Sequence, residues 1–143
     1  MSGITLLVED PKWRVHRGLA ARLTGAAKAA RLKGGFTILL AGDKKLRALN
    51  QNFRGKDKPT NVLSFPGAGG YAGDIALAYG VTKKEAKAAG KTVADHATHL
   101  VVHGVLHLAG HDHERPKQAR EMEGLEVKIL GRLGVPDPYA APQ

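Results

Sequence analysis

Hydrophobic positions along the chain recur with two periods, one short and one helical. Residues 4–8 form a compact β-branched and aliphatic run and predict a strand. Pro11 suits the first turn of a helix, and Val15, Leu19, Leu23 and Ala27 then recur at helical spacing until Gly34-Gly35. Residues 36–40 predict a second strand. Asp43 is placed to cap a short helix carrying Leu46, Leu49 and Asn50. After a basic loop at residues 54–59, two further strands are expected at 61–65 and 74–79, with Pro66-Gly67 ending the first. Thr82 and Glu85 have capping-box spacing, and Gly90 interrupts. Residues 92–109 then read as one long helix with Gly110 at its end. A last helix spans about 116–133, with Met122, Leu125, Ile129 and Leu133 on one face. The order β-α-β-α-β-β-α-α predicts an α+β fold, a small mixed β-sheet covered by helices. No internal repeat or linker divides the chain, so residues 1–143 are expected to form a single domain, with a loose tail from about 136.

Composition narrows the chemistry. Hydrophobic residues make up 43% of the 143 and aromatic ones 5%, so the core rests on aliphatic side chains. There is no cysteine, which excludes disulfides and thiolate metal sites and leaves His, Asp and Glu as metal ligands. The start of the chain lacks the pattern of a secretory signal, and its longest apolar run, residues 100–109, is broken by two histidines. A cytoplasmic protein with no membrane partner is expected. The net charge of +9 lies wholly in residues 1–58, which hold 13 Lys+Arg against 4 Asp+Glu; residues 59–143 hold 9 of each. This asymmetry fits a polyanionic partner, nucleic acid first, and equally a solubilising surface. Candidate phosphate contacts are Arg14, Arg17, Arg22, Lys28 and Arg31 on the first helix, and Arg54, Lys56 and Lys58 in the basic loop.

Six of the seven histidines fall between His96 and His113. His103 and His107 are four apart, which on a helix puts them on one face about 6 Å apart, able to close on one ion. His99 lies about 12 Å of helical rise before His107, too far to join the pair through bonds of about 2 Å. The third ligand must therefore come from chain that turns back, and Gly110 allows that turn, presenting His111, Asp112 and His113. The spacing of His103, His107, Gly110 and His113 resembles the metzincin peptidase signature, a register that favours His113. Metzincins carry a glutamate general base after the first histidine. This chain has Gly104 there, so peptidase chemistry lacks its base. His96 and His99 are expected near the surface or behind the ligands.

With Gly104 included, this stretch resembles the YbeY family of bacterial endoribonucleases. So does the segment from Leu49 to Pro66, above all Thr60-Asn61-Val62-Leu63-Ser64-Phe65-Pro66, and the short piece Gly73-Asp74-Ile75. The resemblance covers about residues 43–113. It implies a zincin-like fold, one zinc ion on His103, His107 and His113, and metal-dependent cleavage of single-stranded RNA. The implied biology is ribosomal RNA maturation and quality control at the ribosome. The catalytic positions it points to are Arg54 and His103. A guanidinium suits a phosphodiester because its fork pairs with two nonbridging oxygens. Asp74 is a candidate to orient a ligand histidine, and equally a plain strand-end carboxylate. Ser64 lacks the Gly-x-Ser-x-Gly setting of a nucleophile. His111, Asp112 and Glu114 are candidate general bases. Two alternatives remain: a metal-dependent hydrolase of a peptide or small molecule, and a non-catalytic ribosome-binding protein with a structural metal.

Overall fold

Strand β2 (Gly35–Ala41) sets the layout, because its alternating side chains serve two different layers. Phe36, Ile38 and Leu40 are buried on one face, whereas Thr37 and Leu39 are only half-buried on the other. The computed structural model describes residues 3–58 and 60–140. Its elements are β1 (Ile4–Val8), a 3-10 helix (Pro11–Val15), α1 (Leu19–Ala29), β2, α2 (Asp43–Arg54), β3 (Val62–Pro66), β4 (Tyr71–Ala78), α3 (Tyr79–Ala88), α4 (Val93–Leu108) and α5 (Pro116–Arg132). The sheet order is β1-β2-β4-β3. The pairs β1–β2 and β2–β4 are parallel, and β3 runs antiparallel to β4. Parallel neighbours need a crossover, supplied by α1 for the first pair and by the α2–β3 excursion for the second. This is the α+β class expected from the element pattern.

Three apolar clusters hold the layers together. On one sheet face Phe36, Ile38, Leu40, Ile75 and Leu77 pack against Leu19 and Leu23 of α1 and Val101 and Val105 of α4. The far side of α4 buries Val102 and Leu106 against Met122, Ile129 and Leu130 of α5. On the other sheet face Leu46 of α2 packs with Leu63, Ala76 and Ala78. Helix α4 is thus enclosed between the sheet and α5, which is why its sequence is apolar on most sides.

The structure departs from the sequence reading at three places. The first helical stretch is broken. Gly18 takes a left-handed backbone (φ +70°), Val15 is 72% exposed, and Trp13 is buried with its indole N–H donating to the Ala41 carbonyl at 2.8 Å. The tryptophan anchors the 3-10 turn to the end of β2, and that contact outweighs continuation of the helical period. Second, three helices follow β4 rather than two, and Thr82 is not a cap. It lies inside α3, where its hydroxyl donates to the Ala78 carbonyl at 2.6 Å. Asp43 begins α2, yet its carboxylate accepts from Val81 N at 3.0 Å, so it caps α3 across the fold. Third, the chain beyond α5 returns to the body: the Tyr139 hydroxyl donates to Glu126 at 2.6 Å. The rest of the expected tail, residues 141–143, lies outside the described residues. Among the described residues no helix is long and apolar enough to cross a membrane.

Candidate metal centre

Helix α4 starts at a well-made cap, the Thr92 hydroxyl accepting from Asp95 N at 3.0 Å. Sixteen residues later it ends as the glycine signal predicts. Gly110 has φ +103°, Gly110 N donates to His107 O (3.1 Å) and His111 N to Leu106 O (3.1 Å), the paired bonds of a Schellman cap. A side chain with a Cβ would resist that backbone. The turn sends the chain back alongside α4, where Asp112 Oδ1 accepts from His113 N (2.7 Å) and Glu114 N (3.3 Å) and fixes the return. As a result the His113 ring lies 5.4 Å from that of His103 and 6.4 Å from that of His107, centre to centre. His103, His107 and His113 line one cavity of about 190 Å³, and His111 is not among its lining residues.

The ligand atoms of His107, Asp112 and His113 all lie within 4.8 Å of one another, a group able to hold a metal ion. Asp112 therefore stands with His107 and His113 in this group, and His103, one of the three expected ligands, is not in it. The donor set of imidazoles with a carboxylate suits a divalent transition metal. Nδ1 of His107 is buried with no hydrogen-bond partner among the described residues, as are Nδ1 of His96 and His99, which do not line the cavity. Burial holds the His107 ring below its ordinary pKa. His103, His113 and Arg54 nearby push the same way, and Asp112 opposes them. The neutral ring is the form that ligates.

Beneath the cavity lies a carboxylate that the sequence reading did not single out. Glu126 of α5 has no exposed surface, and its Oε1 is 2.8 Å from Nδ1 of His103 and 3.4 Å from Nε2 of His99; Oε2 accepts from Tyr139. Burial alone would raise the Glu126 pKa. The bonds from His103, His99 and Tyr139 outweigh burial and hold it at about 2. An ionised carboxylate only accepts, so the proton of the His103 bond sits on Nδ1, and in the neutral ring Nε2 is then the nitrogen free to ligate. A signal for Glu126 was present: it stands four residues after Met122 and three before Ile129, an acid on the apolar stripe of its helix. The expected orienting residue, Asp74, lies elsewhere. It accepts from the Tyr71 hydroxyl and borders a groove on the open sheet face. His96 pairs with Glu85 at 2.9 Å and does not line the cavity.

The opposite wall of the cavity comes from α2 and β3, with Arg54, Thr60, Asn61, Val62 and Ser64. Arg54 is the last residue of α2, and Gly55 ends the helix in a left-handed conformation (φ +69°). The loop beyond is tied down: buried Asn50 donates to Lys58 O at 2.9 Å, and Arg47 holds Asp57 through two bonds of 2.7 and 3.1 Å. Lys56 and Lys58 border an adjoining cavity that shares Arg54, Thr60 and Asn61 with the first. The α1 cations stand apart from this cavity, and Arg22 is engaged by Asp95.

Gly104 is explained by packing. An added Cβ would meet Ile75 Cγ2 at 3.0 Å and Ser64 Oγ at 3.2 Å, so α4 sits against β3 and β4 closely enough that a side chain would make its neighbours give way. The Ser64 hydroxyl donates to the Gly104 carbonyl at 3.3 Å, a structural bond in place of nucleophilic work.

The fold and the cavity together define an α+β protein with a histidine-rich site, its donors suited to a metal ion and an arginine facing them. Comparison with known proteins makes the assignment specific. Residues 14–134 match the family described as endoribonuclease YbeY, and the chain belongs to that family. It is 51% identical over 141 residues to the endoribonuclease YbeY of Chelativorans sp., covering 91% of this chain and 86% of the relative. It is 44% identical over 148 residues to that of Maricaulis maris, covering 97% and 92%. A solution structure of a Thermotoga maritima protein is similar at a TM-score of 0.58 and 25% identity, over 96% of this chain and 99% of the other.

Proposed function

We propose that this chain is a zinc-dependent endoribonuclease that cleaves single-stranded RNA in ribosomal RNA maturation and ribosome quality control in the cytoplasm, with residues 1–143 acting as one hydrolase domain. His103, His107 and His113 would hold the zinc ion. The observation that carries the reading is the His103–Glu126 pair at 2.8 Å: a metal-bound histidine commonly gives its other ring N–H to a carboxylate, and here that bond frees Nε2 for the ion. When bound, the ion supplies Lewis-acid activation of water and charge neutralisation at the phosphate. Arg54, across the cavity, is the group to clamp nonbridging oxygens as negative charge builds on them. Asp112, grouped with His107 and His113, is a carboxylate placed to accept the proton of the attacking water. Lys56 and Lys58 border the adjoining cavity and would attract the strand. The 44–51% identity to endoribonucleases over most of the chain supports RNA as substrate. The test is metal analysis of the purified protein beside cleavage of a single-stranded RNA. About one zinc per chain and cleavage abolished by chelator are expected. Undiminished cleavage by metal-free protein would overturn the proposal.

A further inference from the structure

The groups outside the cavity that the proposed chemistry does not use gather under His103. Tyr139 comes from the segment after α5, which its sequence marks as a loose end. Asp137 Oδ1 accepts from Tyr139 N at 2.8 Å, a local turn beside a side chain that stays 45% exposed while its hydroxyl reaches the buried Glu126. The ring stands edge-on to His99 with centres 5.6 Å apart, and His99 Nε2 is 3.3 Å from the hydroxyl. That hydroxyl gives its proton to Glu126 Oε2 at 2.6 Å, while Oε1 of the same carboxylate receives His103 Nδ1 at 2.8 Å.

We infer that Tyr139 is a positioning residue of the metal centre, acting through Glu126 on His103. The inference rests on the reading of His103 as a metal ligand. Both nitrogen contacts of Glu126 fall on one oxygen, Oε1. Rotation about the last side-chain bond would carry that oxygen away from His103. The Tyr139 hydroxyl on Oε2 fixes the plane of the carboxylate and stops that rotation. Without it, a fully buried Oε2 is left without a donor, and the carboxylate turns to find one. The His103 ring then loses the partner that sets both its tautomer and its direction. A C-terminal turn would in this way control metal affinity without touching the metal.

The experiment compares wild type, Tyr139→Phe, Glu126→Met and the double variant. Methionine keeps the length of the buried side chain without its oxygens, an exchange that folded cores tolerate. Zinc affinity is read by competition with a chromophoric chelator. A partner directly on a ligand histidine is worth about 10–100-fold in affinity, so Glu126→Met should weaken zinc by that order and Tyr139→Phe by about 3–10-fold. In the Glu126→Met background Tyr139→Phe should change nothing further. Unaltered affinity in Tyr139→Phe, or an equal loss in both backgrounds, overturns the inference. A second readout uses the metal-free protein, whose His103 ring ¹⁵N shifts report the Nδ1–H tautomer. Wild type should show that form and Tyr139→Phe a mixture. If wild type takes up no zinc, the metal reading fails, and identical ring spectra in wild type and Tyr139→Phe would separately refute the positioning role.

Discussion

Acidification of the metal-free protein tests the network beneath His103. Glu126 is fully buried, and folding takes its carboxyl from an ordinary 4.5 to about 2. A carboxyl depressed by folding stabilises the native state at pH above its unfolded value. That contribution is lost as pH falls through the interval down to the folded value, here from about 4.5 to about 2. At about 1.4 kcal/mol per pH unit, the interval corresponds to about 3 kcal/mol. Glu126→Gln keeps the shape and removes the titration. At pH 6 it should be less stable than wild type by about 1–3 kcal/mol, because His103 and Tyr139 lose a charged acceptor. The assay is urea denaturation at steps between pH 6 and 2 for both proteins. The advantage of wild type should shrink across the stated interval and be lost by about pH 2. Parallel stability curves there would show that Glu126 is not held ionised by its donors, and would remove the argument that fixes the His103 tautomer.

Three further outcomes are expected. Gly104→Ala gains about 1 kcal/mol of helix propensity but overpacks the contact with Ile75 and Ser64, which costs about 1–3 kcal/mol; net destabilisation of about 1 kcal/mol in denaturant, with weakened zinc binding, is expected, and a stabilised variant would deny the close approach. His107→Ala should abolish zinc uptake and cleavage together, whereas Arg54→Ala should keep the metal and lose about 100-fold in turnover, the scale of one transition-state donor; normal turnover by the Arg54 variant would remove the guanidinium from the mechanism. If Arg54, Lys56 and Lys58 each reach one phosphate, RNA affinity should follow a log–log salt slope of about −2, and Lys56→Ala with Lys58→Ala should flatten it by about 1.4; an affinity indifferent to salt would assign the positive charge to solubility.

The site was legible where its geometry is local. Four residues of helix place His103 and His107 on one face, and Gly110 allows the turn that brings His113 back, so the three rings were expected to share one cavity and do. The metzincin-like register pointed to His113, which is in the tightest group of ligand atoms with His107; Asp112 joins that group and His103 does not. As a catalytic residue Arg54 entered through the resemblance alone; nothing about its own sequence position distinguished it from other loop cations, and only the packing of α2 beside β3 brings it to the histidines. Glu126 and Tyr139 were missed because they act at sequence separations of 23 and 13 residues, through bonds that no period records. Of the two readings of Asp74 the plain strand carboxylate fits: a strand residue's face depends on the sheet around it, and its partner is Tyr71, three residues away.

The same division runs through the fold. Alternation in residues 35–41, the apolar run of α4 and the stripe of α5 are statements about period, and period is what a sequence carries openly. The sequence by itself therefore determined the α+β class, the helix that bears the histidines and the turn that ends it. The tertiary structure decided what each local signal was used for. Trp13 found the Ala41 carbonyl and broke the first helix, Asp43 capped a helix other than its own, and Gly104 proved to be a contact surface. Each of these depends on a group remote in sequence. A hydrogen bond or a close packing contact is worth what its partner makes it, and the partner is chosen only when the chain has folded.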